Sequence, residues 1–160
     1  MNEHETVSSW LETIGERYGV RGFTLDHGGT CTGSYHNTVE FALEVPQGQE
    51  TVYLNAPVVP SFAVNGPVMA MALERNCFGL GTTQAWLGRR KNAGDLCLCS
   101  SLAVNRADAK SFENWLGNFL VLAEGIAEEF RANRPAADTL ARAEPLRATP
   151  IIGFDPTRFA

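Results

Sequence analysis

Val7, Trp10, Leu11, Ile14 and Tyr18 recur at three- and four-residue steps near the start of the chain. That period places one apolar face on a helix over about 3–18. Gly19 and Gly22 follow it as stop signals. The spacing then changes to two. Val39, Phe41, Leu43 and Val45 alternate with Thr38, Glu40, Ala42 and Glu44, which predicts a half-buried strand over 38–45. Pro46-Gln47-Gly48 has turn chemistry, and 51–58 continues as the next strand, with Val52, Leu54 and Ala56 on one side. Before this pair, a short strand is expected at 23–26, with the Gly- and Thr-rich 27–33 as a turn.

The second half returns to helical spacing. Asn65 reads as an N-cap with Pro67 in the first turn, and Val68, Met69, Met71, Ala72 and Leu73 carry a helix to about Cys77. Two further strands are expected at 82–89 and 95–103, joined by a polar hairpin. Asp108 then caps a long helix striped by Phe112, Trp115, Leu116, Phe119, Leu120, Ala123, Ile126 and Phe130. Gly117 and Gly125 each cost that helix about 1 kcal/mol against Ala, so its stripe must be well buried. The expected fold is α+β, order α-β-β-β-α-β-β-α, with a mostly antiparallel sheet and helices packed on it. Residues 1–131 form the domain. Residues 132–160 are a Pro-, Arg- and Ala-rich tail, either mobile or docked in extended form, with one apolar run, Ile151-Ile152-Gly153-Phe154.

Composition narrows the classes. The 160 residues are 44% hydrophobic and 19% charged, as in a globular protein of one domain. The net charge is −5, unevenly spread: residues 1–130 hold 8 Lys/Arg against 15 Asp/Glu, and 131–160 hold 5 against 3. An acidic body argues against nucleic acid as the partner. No apolar run reaches membrane-spanning length, and the N-terminus lacks the apolar region of a secretory signal. Cys31, Cys77, Cys97 and Cys99 form no CxxC pair, and free thiols suit a reducing cytoplasm.

Candidate chemistry is sparse. His27, Cys31 and His36 could hold zinc or pair a thiol with a base, but H-x3-C-x4-H matches no common ligand spacing and reads better as a polar loop. Cys97 and Cys99, two apart on a predicted strand, read as small core residues. There is no phosphate-binding glycine motif and no catalytic constellation, so neither enzyme activity nor a cofactor or metal is expected.

The order of elements carries more. The chain resembles the class I chaperones of bacterial type III secretion, the Tir-chaperone (CesT) family, over about residues 5–131. The resemblance rests on the N-terminal helix from Val7 to Tyr18 and on the strand pair TVEFALEV and TVYLNAPV. It rests further on the mid-chain stretch NGPVMAMALERNCFGLG and on the closing helix ADAKSFENWLGNFLVLAEGIAEEF. The tail and the glycine-rich 27–34 depart from the family pattern. The resemblance implies a cytoplasmic homodimer without enzymatic activity. It would bind the extended N-terminal chaperone-binding segment of a secreted effector and keep it soluble and secretion-competent.

By position, the resemblance puts Val68, Met69, Ala72, Leu73, Leu80, Trp86 and Leu87 at the dimer interface. It puts Trp10, Ile14, Phe23, Leu25, Phe41 and Leu43 against the client. The same residues would serve equally as core. The run at 151–154 is either inert or a docked mimic of the client. Two other readings stand beside this one: a regulatory or general protein-interaction module of the same fold, and a metal-binding protein or enzyme built on the 27–36 loop.

Overall fold

The computed structural model describes residues 2–79 and 84–133, together with the backbone at 153–154. Helix α1 (Glu3–Tyr18) starts on a capping box: the Asn2 side chain accepts from Glu5 N–H, and the Glu5 carboxylate accepts from Asn2 N–H. Gly19 ends it at φ 72°, a left-handed conformation that glycine adopts without steric cost. Strands β1 (Thr30–Tyr35), β2 (Val39–Glu44) and β3 (Thr51–Val59) form a meander. Helix α2 (Gly66–Asn76) follows, capped by Asn65 as expected. Strands β4 (Ala85–Arg89) and β5 (Leu96–Ala103) come next. Helix α3 (Ala109–Ala132), capped by Asp108, closes the order.

The sheet order is β4-β5-β3-β2-β1-β6, in which β6 is the two-residue strand Gly153–Phe154. The first five strands pair antiparallel and β6 pairs parallel to β1. One face of the sheet carries the core. Cys31, Leu43, Leu54 and Ser100 lie side by side across four strands on it, and Ala56, Leu98 and Leu87 across three. Helices α1 and α3 cover this face: the Trp115 indole N–H of α3 donates to Ser100 Oγ at 2.9 Å. The other face has no helix over it among the described residues. It presents Tyr53 and Trp86, both partly exposed, with half-buried Asn55 and Cys99 between them.

Two polar contacts fix the helices. Glu113 of α3 is buried and accepts from Arg17 at 2.6 Å and from the Tyr18 hydroxyl at 2.9 Å, so it latches the end of α1. Arg75 of α2 pairs with Glu129 of α3.

The first strand is not where its sequence suggests. Residues 23–26 are irregular, although Phe23 and Leu25 are buried, and the strand begins at Thr30. The turn is shorter than expected. Asp26 Oδ1 accepts from Gly28 and Thr30 N–H at 2.8 and 2.9 Å, which closes it before the strand. Gly33, expected in that turn, lies inside β1. A Cβ there would meet the Phe41 ring at 2.6 Å, so the missing side chain is the space the ring occupies.

Candidate functional site

A sheet has two edges, and each leaves a row of backbone groups for another strand to meet. In this chain one edge is β4 and the other is β1, which the two-residue β6 covers at one end only, and they are finished differently.

On β1 the exposed row can be read from the pairing. Val45 N–H donates to Gly29 O at 2.8 Å. Antiparallel pairs alternate between bonded and non-bonded, so Cys31 and Gly33 bond inward to β2 while Thr30, Thr32 and Ser34 point outward. Thr30 is already taken: its N–H donates to Asp26 Oδ1 and its carbonyl accepts from Asp26 N–H at 2.8 Å. Ser34 stands in register with Gly153 of β6, and Tyr35 with Phe154. Thr32 lies between these two caps. It is exposed, and no described residue closes its outward backbone groups.

On β4 the corresponding middle position is Leu87. The Asn76 side chain, at the end of α2, accepts from Leu87 N–H at 2.8 Å and donates to Leu87 O at 2.9 Å. One carboxamide thus imitates a neighbouring strand and seals that edge. Sequence reading missed this clamp. Its only signal was a polar residue at the end of an apolar helix.

The expected dimer residues divide. Val68, Ala72 and Leu87 are buried within the chain and hold α2 and β4 onto its own core. Met69 is partly buried against that core. Leu73 is 67% exposed and Trp86 43% exposed, so these two face outward. They sit on adjacent elements, since Leu73 lies one turn before Asn76, which grips the residue after Trp86. Leu80 lies outside the described residues. Phe62, in the turn before α2, is 70% exposed.

The expected client residues are nearly all core. Ile14, Phe23, Leu25, Phe41 and Leu43 are buried. A periodic apolar stripe marks a face that must be covered, and here the chain's own sheet and helices cover it. Only Trp10 is half-exposed, its ring packed at a tilt of 40° against Phe112 with centroids 5.2 Å apart.

The loop cluster does not assemble. Cys31 and His36 are five residues apart along an extended chain, about 16 Å, which no single ion bridges. Cys31 faces the core, where burial pushes its thiol up to about 12. The His36 ring is held by the Glu124 carboxylate at 3.1 Å, and Thr38 Oγ1 donates to the same carboxylate at 2.9 Å. Burial also raises Cys97 to about 12. Among the described residues no group of three or more His, Cys, Asp and Glu side chains could hold a metal ion. Nor is any helix among them long and apolar enough to cross a membrane.

Known structures share this fold. The ExsC–ExsE complex contains a chain that superposes with a TM-score of 0.70 at 19% identity, covering 86% of this chain and 100% of that one. The HopA1–SchA chaperone–effector complex gives 0.62 at 15% identity, covering 78% and 91%. YbjN of E. coli, named as a candidate transcription regulator, gives 0.56 at 14% identity, covering 80% and 90%. At these identities the likeness is one of fold. No curated protein matches the sequence. The family model of the Tir chaperone proteins matches residues 9–127, most of the chain and all the elements from mid-α1 to the late turns of α3, so the chain belongs to the Tir chaperone protein (CesT) family.

Proposed function

We propose that the chain is a type III secretion chaperone. It works as a homodimer in the bacterial cytoplasm and holds the extended N-terminal segment of one or more secreted effectors. Family membership supports the class, and the observation that carries the mechanism is the unsealed middle of β1 at Thr32. An extended guest there gains backbone hydrogen bonds from the edge and side-chain contacts from its flanks, which separates affinity from selectivity. Trp10 on α1 is the accessible aromatic in the expected client set, and Ile14, Phe23, Leu25, Phe41 and Leu43 support the surface from beneath. Leu73 and Trp86 are the apolar contacts of the second copy, with Met69 beside them and Val68, Ala72 and Leu87 as their backing. The chemistry is binding, without bond-making. The excess of acidic residues over 1–130 keeps a protein with exposed apolar contacts soluble.

The test uses Thr32→Pro, which removes one outward N–H at an edge position where proline is tolerated. The tagged wild-type chain, expressed in its own bacterium, should retain a secreted polypeptide through its N-terminal segment, and the Thr32→Pro chain should lose it while melting normally. Equal retention by both overturns the strand-addition mechanism. Sedimentation should give twice 17.4 kDa for the wild type and a monomer for Leu73→Glu. A second reading, a regulatory protein-interaction module, is favoured by the likeness to YbjN. It would be marked by a captured partner that is never secreted.

A further inference from the structure

We propose that the chain carries its own occupant for the β1 edge: the C-terminal segment centred on Gly153–Phe154 acts as a displaceable stand-in for a guest strand. The two residues pair in parallel with Ser34 and Tyr35, on the outer side of the strand whose middle is open. Their neighbours in sequence, Ile151 and Ile152, make the segment apolar, and Pro150 and Pro156 bracket it. Proline cannot extend a ladder through its nitrogen, so the strand is limited to a few residues.

The path of the chain permits this pairing. Glu124 of α3 bonds His36 and Thr38, so α3 passes the turn that joins β1 to β2. The helix ends at Ala132, about two turns beyond Glu124, and residues 133–152 then lead to β6. A stretch of twenty residues can span up to about 66 Å. Charge is complementary, because residues 131–160 carry an excess of two basic residues and 1–130 an excess of seven acidic ones.

The grip suits a cap that yields. Two paired residues supply few hydrogen bonds, each worth about 1 kcal/mol net. The tether raises the local concentration of the segment to the millimolar range. A weak contact of this kind covers the edge for part of the time when nothing else is bound. A longer strand that also engages Thr32 displaces it, at the expense of an apparent affinity reduced by the fraction of edges already capped. The consequence for a client rests on the chaperone reading above, but the cap itself does not.

The experiment uses the full chain and its Gly153→Pro/Phe154→Pro variant, in which two N–H donors of β6 are removed outside the folded domain. Amide hydrogen exchange at Ser34 should quicken up to about twofold in the variant, with Leu54 in β3 unchanged. A fluorescent peptide of residues 148–158 should bind the variant up to about twofold more tightly than the wild type, whose edge is partly occupied. Equal exchange at Ser34 together with equal peptide affinity overturns the proposal. So does protection at Ser34 that vanishes on dilution, since it would mark a segment donated by a second copy. If the cap is found but no secreted protein is retained, the chaperone reading fails and the cap stands. If a secreted protein is retained with no change at Ser34, the reverse holds.

Discussion

The two edges of the sheet solve one physical problem in opposite ways. At β4 the middle residue, Leu87, has its side chain in the core and both outward backbone groups held by Asn76. At β1 the middle residue, Thr32, is exposed, and closure is confined to the two ends, by Asp26 on one side and by Gly153–Phe154 on the other. An edge that serves only stability is best sealed by the chain itself. An edge meant for a guest must keep its hydrogen bonds available without recruiting unwanted strands, and short, weak caps meet both demands. Under the proposed function, the difference separates a side of the molecule closed by its own packing from a side left for a guest.

The same substitution should therefore give opposite results at the two edges. Leu87→Pro deletes an N–H that Asn76 holds and forces a ring beside that carboxamide, with loss of a buried leucine side chain. It should cost about 3 kcal/mol or more, or abolish folding. Thr32→Pro should change stability by less than about 1 kcal/mol, because the deleted N–H faces away from β2. Urea denaturation of both variants checks the pair. Comparable losses would mean that the outward row on β1 is wrongly assigned.

Much of this contrast was hidden in the sequence, for identifiable reasons. The helices were legible because period and caps agree: Asn65 and Asp108 each sit one residue before the helix they cap, and each accepts a first-turn N–H. Strand β2 was legible because its two faces differ. Strand β1 was not. Gly33 breaks the alternation, and its reason for being there, the ring of Phe41, lies on another strand. The candidate site suffered from a related ambiguity. Periodicity says that Ile14, Phe41 and Leu43 must be covered, and it is silent on whether chain or partner covers them. Leu73 differs from its neighbour Ala72 in exposure, and nothing in their local sequence separates them.

A smaller change tests the seal on β4 without disturbing the core. Asn76→Ala leaves Leu87 N–H and C=O without their partner at a partly buried position. The expected loss is about 2 kcal/mol by thermal or urea denaturation. The Leu87 amide should also exchange faster, while the Leu54 amide in the centre of the sheet should not. If Asn76→Ala is neutral, the carboxamide is not what closes this edge, and the contrast with β1 loses its basis.

The smallest effect concerns the latch that holds α1, the helix from which the chain runs on to the open edge. Burial pushes the Glu113 carboxyl up, but hydrogen bonds from Arg17 and Tyr18 and the charges of Arg17 and Lys110 together hold it below its ordinary 4.5. A carboxylate held low in the folded chain binds its proton more readily when unfolded. Its stabilisation is therefore complete above the ordinary value and is lost as the pH falls through the lower, folded one. Glu113→Gln should cost about 1 kcal/mol near neutral pH, and the gap to the wild type should narrow steadily below about pH 4.5. Denaturation at a series of pH values checks this. Because the latch ties Tyr18 to α3 and lies far along the chain from Leu87, acid should speed exchange in α1 and β1 before it does so in β4. Simultaneous loosening of both edges would show that they belong to one cooperative unit, and that the open edge is distinguished by its unsealed backbone alone.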